Sequence, residues 1–162
     1  MKLAKIFLPI AVVSLLAMVV IMWVVFAMGA IAPDIEGGGE EALGAGIAAV
    51  FGALFLIIIN VVATLLFSGF ALGIFICWIC VFKSAKKFNA LIGGLVLSCL
   101  IFPLVLIAAI ITALLYVATS PAGAVIVLLG FVLFLAAFIG VCGAFGKAKA
   151  QRKREGLQNG EM

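Results

Sequence analysis

The sequence predicts an all-α integral membrane protein: a bundle of four transmembrane helices with short loops and an unusually long second helix. Three observations predict it. Of the 162 residues, 69% are hydrophobic and 10% are charged, against roughly 45–50% and 25% in an ordinary soluble domain. The apolar residues fall in four long runs, and the Lys and Arg residues lie outside those runs. A soluble chain of this length buries only about two thirds of its surface, so lipid must solvate the remainder.

The first apolar run covers residues 6–32 and follows Lys2 and Lys5. A cationic start before an apolar run is also typical of a secretory signal peptide, but the apolar part of a signal peptide has roughly 7–15 residues. The run here is about twice that length. At about 1.5 Å per residue it can cross a hydrocarbon core of about 30 Å with some tilt. We therefore expect an uncleaved first transmembrane helix.

The second run is unusually long. It follows residues 33–41, which combine a proline, three successive glycines and four carboxylates and therefore predict a solvated loop. Residues 42–82 contain no charge, and a break at Ser68 and Gly69 would leave about 13 residues for another crossing, short of the roughly 17 required. The favoured interpretation is one long tilted or bent helix, whose Gly- and Ala-rich first turns project beyond the core. A re-entrant segment before Gly52 is the alternative.

The last two runs cover residues 88–118, with Pro103 near the middle, and residues 124–145. A proline is tolerated within a transmembrane helix where neighbouring groups satisfy the freed carbonyl. Residues 119–123 predict a tight turn, because they contain Ser, Pro and Gly. The chain thus divides into a four-pass transmembrane domain, residues 1–146, and a basic cytoplasmic tail, residues 147–162. We expect residues 147–154 to continue the fourth helix.

The distribution of cations predicts the orientation. All ten Lys and Arg residues lie at the N-terminus, in the 83–87 connection or in the tail. With four crossings these sites share one face of the membrane, and the positive-inside rule assigns that face to the cytoplasm. We expect both termini in the cytoplasm, in a plasma or inner membrane or an endomembrane. Trp23 and Trp78, near the ends of their helices, fit either interfacial aromatic belts or bulky packing residues.

Ionisable groups are missing where membrane chemistry needs them. The sequence contains no histidine, and none of the four runs contains an acidic or basic residue. Catalysis and ion-coupled transport in membranes usually require an ionisable group at depth, so we expect no enzyme, no cofactor and no metal. Asn60, Thr64 and Ser68 are polar at depth. They could line a pore, but for Asn60 the favoured interpretation is a hydrogen bond between helices, worth about 0.6 to 2 kcal/mol.

The cysteines offer a second chemistry. Cys77 and Cys80 have the C-x-x-C spacing that indicates a thiol redox pair when it occurs in a βαβ context. That context is missing, and the pair lies near the predicted cytoplasmic end, where the compartment is reducing. Only Cys99 and Cys142 remain, spread over two further helices, so a four-ligand zinc site is not supported. Cys77, Cys80 and Cys142 are candidate palmitoylation sites in a eukaryotic host.

Two sets of residues predict contacts with other molecules or other helices. Small residues at four-residue spacing allow close approach of helix backbones in lipid; they are Gly44, Ala48, Gly52, Gly69, Gly73, Gly140 and Ala144. Basic residues at the ends of the runs either contact anionic lipid headgroups, at about 1 kcal/mol each, or act only as stop-transfer charges. These are Lys83, Lys86, Lys87, Lys147, Lys149, Arg152, Lys153 and Arg154.

Together these features favour a small non-enzymatic tetraspan membrane protein that oligomerises or serves as a structural or accessory subunit of a membrane assembly. Its expected partners are membrane lipids and protein subunits, and not nucleic acid. Two alternatives stay open: an oligomeric channel or pore, and a membrane thiol-redox protein that uses Cys77 and Cys80. In its short loops and internal termini the predicted topology resembles small four-pass proteins such as the MARVEL-type tetraspans, a likeness of topology alone.

Overall fold

The structure, a computed structural model, describes residues 1–29, 40–83, 87–119 and 121–159. These residues form four helices and no strand: α1 (Lys2–Gly29), α2 (Glu40–Lys83), α3 (Lys87–Thr119) and α4 (Pro121–Asn159). Each helix is long and apolar enough to cross a bilayer, and α2, with 44 residues, is the longest. The predicted fold class is confirmed, and the chain is an integral membrane protein.

The helices extend beyond most of the predicted bounds. α1 begins at Lys2 rather than at residue 6 and is described to Gly29, so the predicted residues 30–32 lie outside the described ranges. The predicted turn at 119–123 is shorter than expected, because Pro121 is already the first residue of α4, where its missing N–H costs nothing. α4 continues past residue 145 to Asn159, because the Lys, Ala, Gln and Arg residues there are good helix formers.

The four helices pack side by side in chain order. α1 contacts α2 and α4, α3 contacts the same two helices, and α1 and α3 meet across the centre. α1 contributes a continuous row of central side chains, spaced three or four residues apart and at most 2% exposed: Ala4, Leu8, Ala11, Leu15 and Met18. This spacing places them on one face of the helix. An apolar seam therefore runs along the axis of the bundle.

α2 joins this bundle along only part of its length. Its buried side chains include Asn60, Phe67, Ile74 and Val81, which recur every seven residues. That interval keeps one stripe of a helix against its neighbours. Every residue from 49 to 59 is exposed. α2 therefore leaves the bundle at Asn60.

Two tryptophans join α1 to α2. The indole Nε1 of Trp23 donates a hydrogen bond of 2.8 Å to Thr64 Oγ1. The indole Nε1 of Trp78 donates one of 2.9 Å to the backbone carbonyl of Lys5. Both tryptophans are thus specific partners across a helix interface, a role that their positions near the helix ends did not predict. The two bonds fix the register of α1 against α2 at both ends of their contact.

Candidate functional site

The part of α2 outside the bundle is the most unusual surface of the protein. We call residues 49–59 the free segment. All eleven are exposed, and they include the large apolar side chains of Phe51, Phe55 and Ile58, which are 68%, 65% and 60% exposed. A helix packed on neighbours buries a side chain every three or four residues. No face of the free segment is therefore packed into the bundle.

The free segment lies beyond the level of Gly29, the last described residue of α1. The Trp23–Thr64 hydrogen bond marks one height on α1 and α2. From there α1 continues for six residues to Gly29, whereas α2 continues for 24 residues to Glu40. At about 1.5 Å per residue, α2 extends roughly 27 Å further than the described part of α1. Apart from Glu40 and Glu41 at its start, this overhang contains no charged residue.

A cleft opens between α2 and α3 beside the free segment. Its volume is about 270 Å³, and its lining includes Met22, Ile59, Phe67, Ile107 and Thr112. The Thr112 hydroxyl donates to a backbone carbonyl within α3 at 2.6 Å, so it offers no free donor to the cleft. The cleft therefore presents an apolar surface, suited to a lipid chain or to side chains of another subunit.

Some of the predicted packing residues contact a neighbouring helix of the same chain. A Cβ atom at Gly73 would lie 3.0 Å from Leu97 Cδ1 of α3. A Cβ atom at Gly140 would overlap the ring of Phe7 in α1. Ala144, one turn beyond Gly140, is buried at 1% exposure. These three small residues allow close helix packing inside the bundle.

The other predicted glycines have open space at the position where a side chain would begin. No atom lies within 4 Å of the Cβ position at Gly44, Gly52 or Gly69, apart from their own surroundings in the helix. The prediction for Ala48 concerns a side chain outside those that the structure describes. Gly69 and Gly73 therefore do not form one interface, although they share the four-residue spacing. Gly44 and Gly52 remain available for contacts beyond the chain.

Sequence reasoning missed one close contact. A Cβ atom at Gly94 would lie 3.1 Å from Leu8 Cδ2, and one at Gly93 would lie 3.4 Å from Cys77 Sγ. The two adjacent glycines thus let α1 and α2 approach the same turn of α3. Their signal was a glycine pair near the start of an apolar run, in which Ala90, Gly94 and Ser98 have the four-residue spacing of small residues.

The polar residues of α2 are arranged differently from the expected pattern. Asn60, 8% exposed, donates through Nδ2 to the carbonyl of Leu56 in its own helix at 3.2 Å. The bond between helices at this level involves Thr64, whose hydroxyl donates to the carbonyl of Asn60 at 2.7 Å and accepts from Trp23. Ser68 is exposed. The hydrogen bond between α1 and α2 is therefore made by Thr64, whereas the Asn60 side chain bonds within its own helix.

The four cysteines are free thiols and, among the described residues, no three of them come together. Cys77 is half-buried against Gly93 and Gly94 of α3, whereas Cys80 and Cys142 are exposed, and all three thiols are free. Within the described residues, no group of three or more His, Cys, Asp or Glu side chains is placed to hold a metal ion. Exposure makes Cys80 and Cys142 more accessible to lipidation than Cys77.

The predicted headgroup residues gather at one end of the bundle. Lys83 ends α2 and Lys87 begins α3, and the other described candidates lie on the last turns of α4. Arg152 of α4 lies 4.9 Å from the centre of the Phe88 ring of α3, which ties the tail to this end. All the described candidates are exposed, and Lys86 lies outside the described residues. The end opposite the free segment is therefore strongly basic.

Comparison of the chain with protein-family models, with curated proteins and with solved structures finds no match. Function must therefore be inferred from the bundle, its free segment and its basic end.

Proposed function

We propose that this chain is a small non-enzymatic tetraspan membrane protein that assembles with itself through the free segment of α2, as a structural subunit of a membrane assembly. The observation that carries the proposal is that eleven consecutive residues, 49–59, are exposed on every side of a helix that extends beyond the described part of α1. The rest of the bundle acts as an anchor that presents this helix.

The length of α2 supports a protein partner over lipid alone. Its apolar span, Ala49–Lys83, has 35 residues, which corresponds to roughly 52 Å of helix against a hydrocarbon core of about 30 Å. Apolar surface that emerges into water costs about 25 cal/mol per Å². Phe51 and Phe55 lie in the part furthest from the basic end. Contact with another subunit would keep them from water.

The surface of the free segment supports a second copy of this chain as that partner. The free segment carries three small residues, Ala49, Gly52 and Ala53, whose spacing of three and four residues places them on one face of the helix. Small residues allow two helix backbones to approach closely in lipid. Two copies in one membrane have the same orientation, so identical segments can meet around a twofold axis along the membrane normal. The small residues of one copy then pack against the same residues of the other copy.

The basic end supports the orientation proposed from the sequence, with both termini in the cytoplasm. The starts of α1 and α3, the end of α2 and the tail of α4 all lie at this end, and they carry the described Lys and Arg residues. The positive-inside rule favours the cytoplasm for such an end. The free segment then lies toward the outer side of the membrane.

The pore and thiol-redox alternatives have weaker support. A pore lining needs free polar groups, but the Asn60 amide and the Thr64 hydroxyl are both engaged in hydrogen bonds. A redox pair needs accessible thiols, but Cys77 is half-buried against the glycine pair of α3. Neither observation favours these functions over assembly.

Subunit counting by native mass spectrometry from native nanodiscs tests the proposal. We expect the wild type to be oligomeric and Gly52→Leu to be monomeric. The leucine side chain would hold the α2 helices of two copies apart. No atom of the bundle lies near the Cβ position of Gly52, so the same change should leave the thermal stability of the monomer unaltered. Loss of assembly without loss of folding is the signature of an interface between subunits.

Gly143→Leu is the matched control. Gly143 is also an exposed glycine with no atom within 4 Å of its Cβ position, but it lies on α4 near the basic end. We expect this variant to remain oligomeric. A monomeric wild type, or equal effects of the two substitutions, would contradict assembly through the free segment.

A further inference from the structure

A groove at the basic end carries a separate inference, independent of assembly through α2. The groove has a volume of about 480 Å³ and lies between the start of α1, the first turn of α3 and the tail of α4. This volume falls in the roughly 300–1,000 Å³ range of small-molecule sites. Its lining includes Met1 at the N-terminus, and its polar side chains are those of Lys87, Asn89, Gln151, Arg152 and Glu155. Side chains from two helices thus converge on one space.

Packing holds the cationic wall of the groove in position. The Arg152 guanidinium lies 4.9 Å from the centre of the Phe88 ring, and Phe88 stacks on Phe145 of α4 with ring centres 5.6 Å apart. A guanidinium over an aromatic face keeps the N–H donors at its edge available for a further ligand. Lys87, which also lines the groove, begins α3. Two cations therefore face one site from different helices.

The groove also contains a carboxylate. Glu155 is one turn beyond Gln151 on α4, and its Oε1 accepts a hydrogen bond of 3.1 Å from the Gln151 side-chain amide. A site built only for anions would exclude this negative charge, because a like charge close to a ligand is unfavourable. Two cationic side chains, Lys87 and Arg152, with one carboxylate match a ligand that carries a phosphate and an ammonium group together. An acidic headgroup matches the cations but not Glu155.

The position of the groove indicates a lipid as the source of that ligand. It lies at the end of the bundle where the apolar spans give way to charge, the height of the headgroup layer. Its apolar lining, Phe88 and Ala148, lies beside the polar residues, as an amphiphile requires. We propose that the groove binds the headgroup of a zwitterionic aminophospholipid of the phosphatidylethanolamine class. The phosphate contacts Lys87 and Arg152, and the ammonium contacts Glu155.

Lipid titration of the full chain, followed by native mass spectrometry, tests this assignment with three probes. These are phosphatidylethanolamine, phosphatidylcholine, whose quaternary ammonium has no N–H donor, and anionic phosphatidylglycerol. We expect phosphatidylethanolamine to bind at least about tenfold more tightly than phosphatidylcholine. Only the former can donate a hydrogen bond to the Glu155 carboxylate, and a hydrogen bond to a charged group contributes about this factor. Glu155→Gln should remove this preference and strengthen phosphatidylglycerol binding. Unchanged selectivity in Glu155→Gln would overturn the proposal.

Substitutions of Lys87 and Arg152 test the phosphate contacts, with Lys153 as the control. Arg152→Gln and Lys87→Gln should each weaken phosphatidylethanolamine binding about tenfold. Lys87→Gln matters because it leaves the contact between Arg152 and Phe88 intact. Lys153→Gln removes the same charge from an exposed position that does not line the groove, and should change nothing. Equal losses in Lys153→Gln and Arg152→Gln would overturn a specific site in favour of diffuse surface charge.

Soluble competitors distinguish a lipid from a free phosphate compound. Phosphoethanolamine and inorganic phosphate carry the polar groups of the proposed ligand without its acyl chains. We expect neither to displace bound phosphatidylethanolamine at equal concentration. Without acyl chains they cannot contact the apolar lining, so they should bind more weakly. Displacement by either compound would overturn the assignment to a lipid. Lipid binding is measured separately from the number of subunits. One of the two proposals can therefore be contradicted while the other holds.

Discussion

The indole nitrogen of Trp78 supplies the hydrogen bond that Lys5 lacks within its own helix. In an α-helix the carbonyl of residue 5 would accept from the N–H of residue 9, but residue 9 is Pro9, which has no N–H. Trp78 Nε1 donates to that carbonyl at 2.9 Å from α2. A proline in one helix is thus compensated by a tryptophan in the next, and an unpaired polar group in the apolar bundle is avoided.

The first prediction uses this compensation. Trp78→Phe keeps an aromatic ring beside Phe75 and Phe82 but leaves the Lys5 carbonyl without a donor. We expect a loss of about 1–3 kcal/mol in the free energy of unfolding, the usual cost of an unsatisfied buried group. In a Pro9→Ala background the restored N–H should satisfy the carbonyl, and Trp78→Phe should then cost less. Unfolding in mixed micelles measures both; equal costs in the two backgrounds would contradict the compensation.

The second prediction concerns the other tryptophan bond. Trp23 Nε1 donates to Thr64 Oγ1 at 2.8 Å, and that hydroxyl donates in turn to the Asn60 carbonyl. Trp23→Phe and Thr64→Val should therefore be coupled in a double-mutant cycle by about 0.6 kcal/mol, the average for hydrogen bonds between membrane helices, and by no more than about 1.7 kcal/mol. Thermal unfolding of the four proteins provides the cycle. Additive effects would show that this bond does not stabilise the α1–α2 contact.

Particular residues show how far the sequence could predict this structure. The lack of charge from 42 to 82 requires one long helix, because a bilayer crossing has a minimum length. The four-residue spacing of small residues identified Gly73 and Gly140 as packing positions but could not separate them from Gly69. That distinction depends on how each helix is rotated against its neighbours. The same rotation decides that Thr64, and not Asn60, bonds across helices.

The third prediction separates an internal glycine from an exposed one. Gly140→Ala should destabilise the protein by about 1–3 kcal/mol, the usual cost of overpacking, because its Cβ would overlap the Phe7 ring. Gly143→Ala, three residues later with open space around it, should be neutral or slightly stabilising, since alanine favours a helix over glycine. Phe7→Leu should recover part of the Gly140→Ala loss. Thermal unfolding compares them, and equal stability of the two alanine variants would contradict the close α1–α4 contact.

The fourth prediction concerns orientation. In a cysteine-free background, Lys87→Cys should react with an impermeant thiol reagent only after the cytoplasmic side is opened, because the basic end faces inward. Glu40→Cys, at the far end of α2, should react from outside in intact cells. The reverse pattern would place the basic end outside.

Cross-linking of the free segment in native membranes tests assembly through α2 most directly. Single cysteines are introduced at each position from 49 to 59 of a cysteine-free chain and oxidised with copper phenanthroline, with Val125→Cys as the control. Val125 is 64% exposed on α4, so lipid exposure is matched and only the helix differs. We predict disulfide-linked dimers that recur every three or four positions, strongest on the stripe of Gly52 and Ala53, and none at Val125. If no position from 49 to 59 cross-links above the level of Val125→Cys, the free segment faces lipid and the chain does not assemble through it.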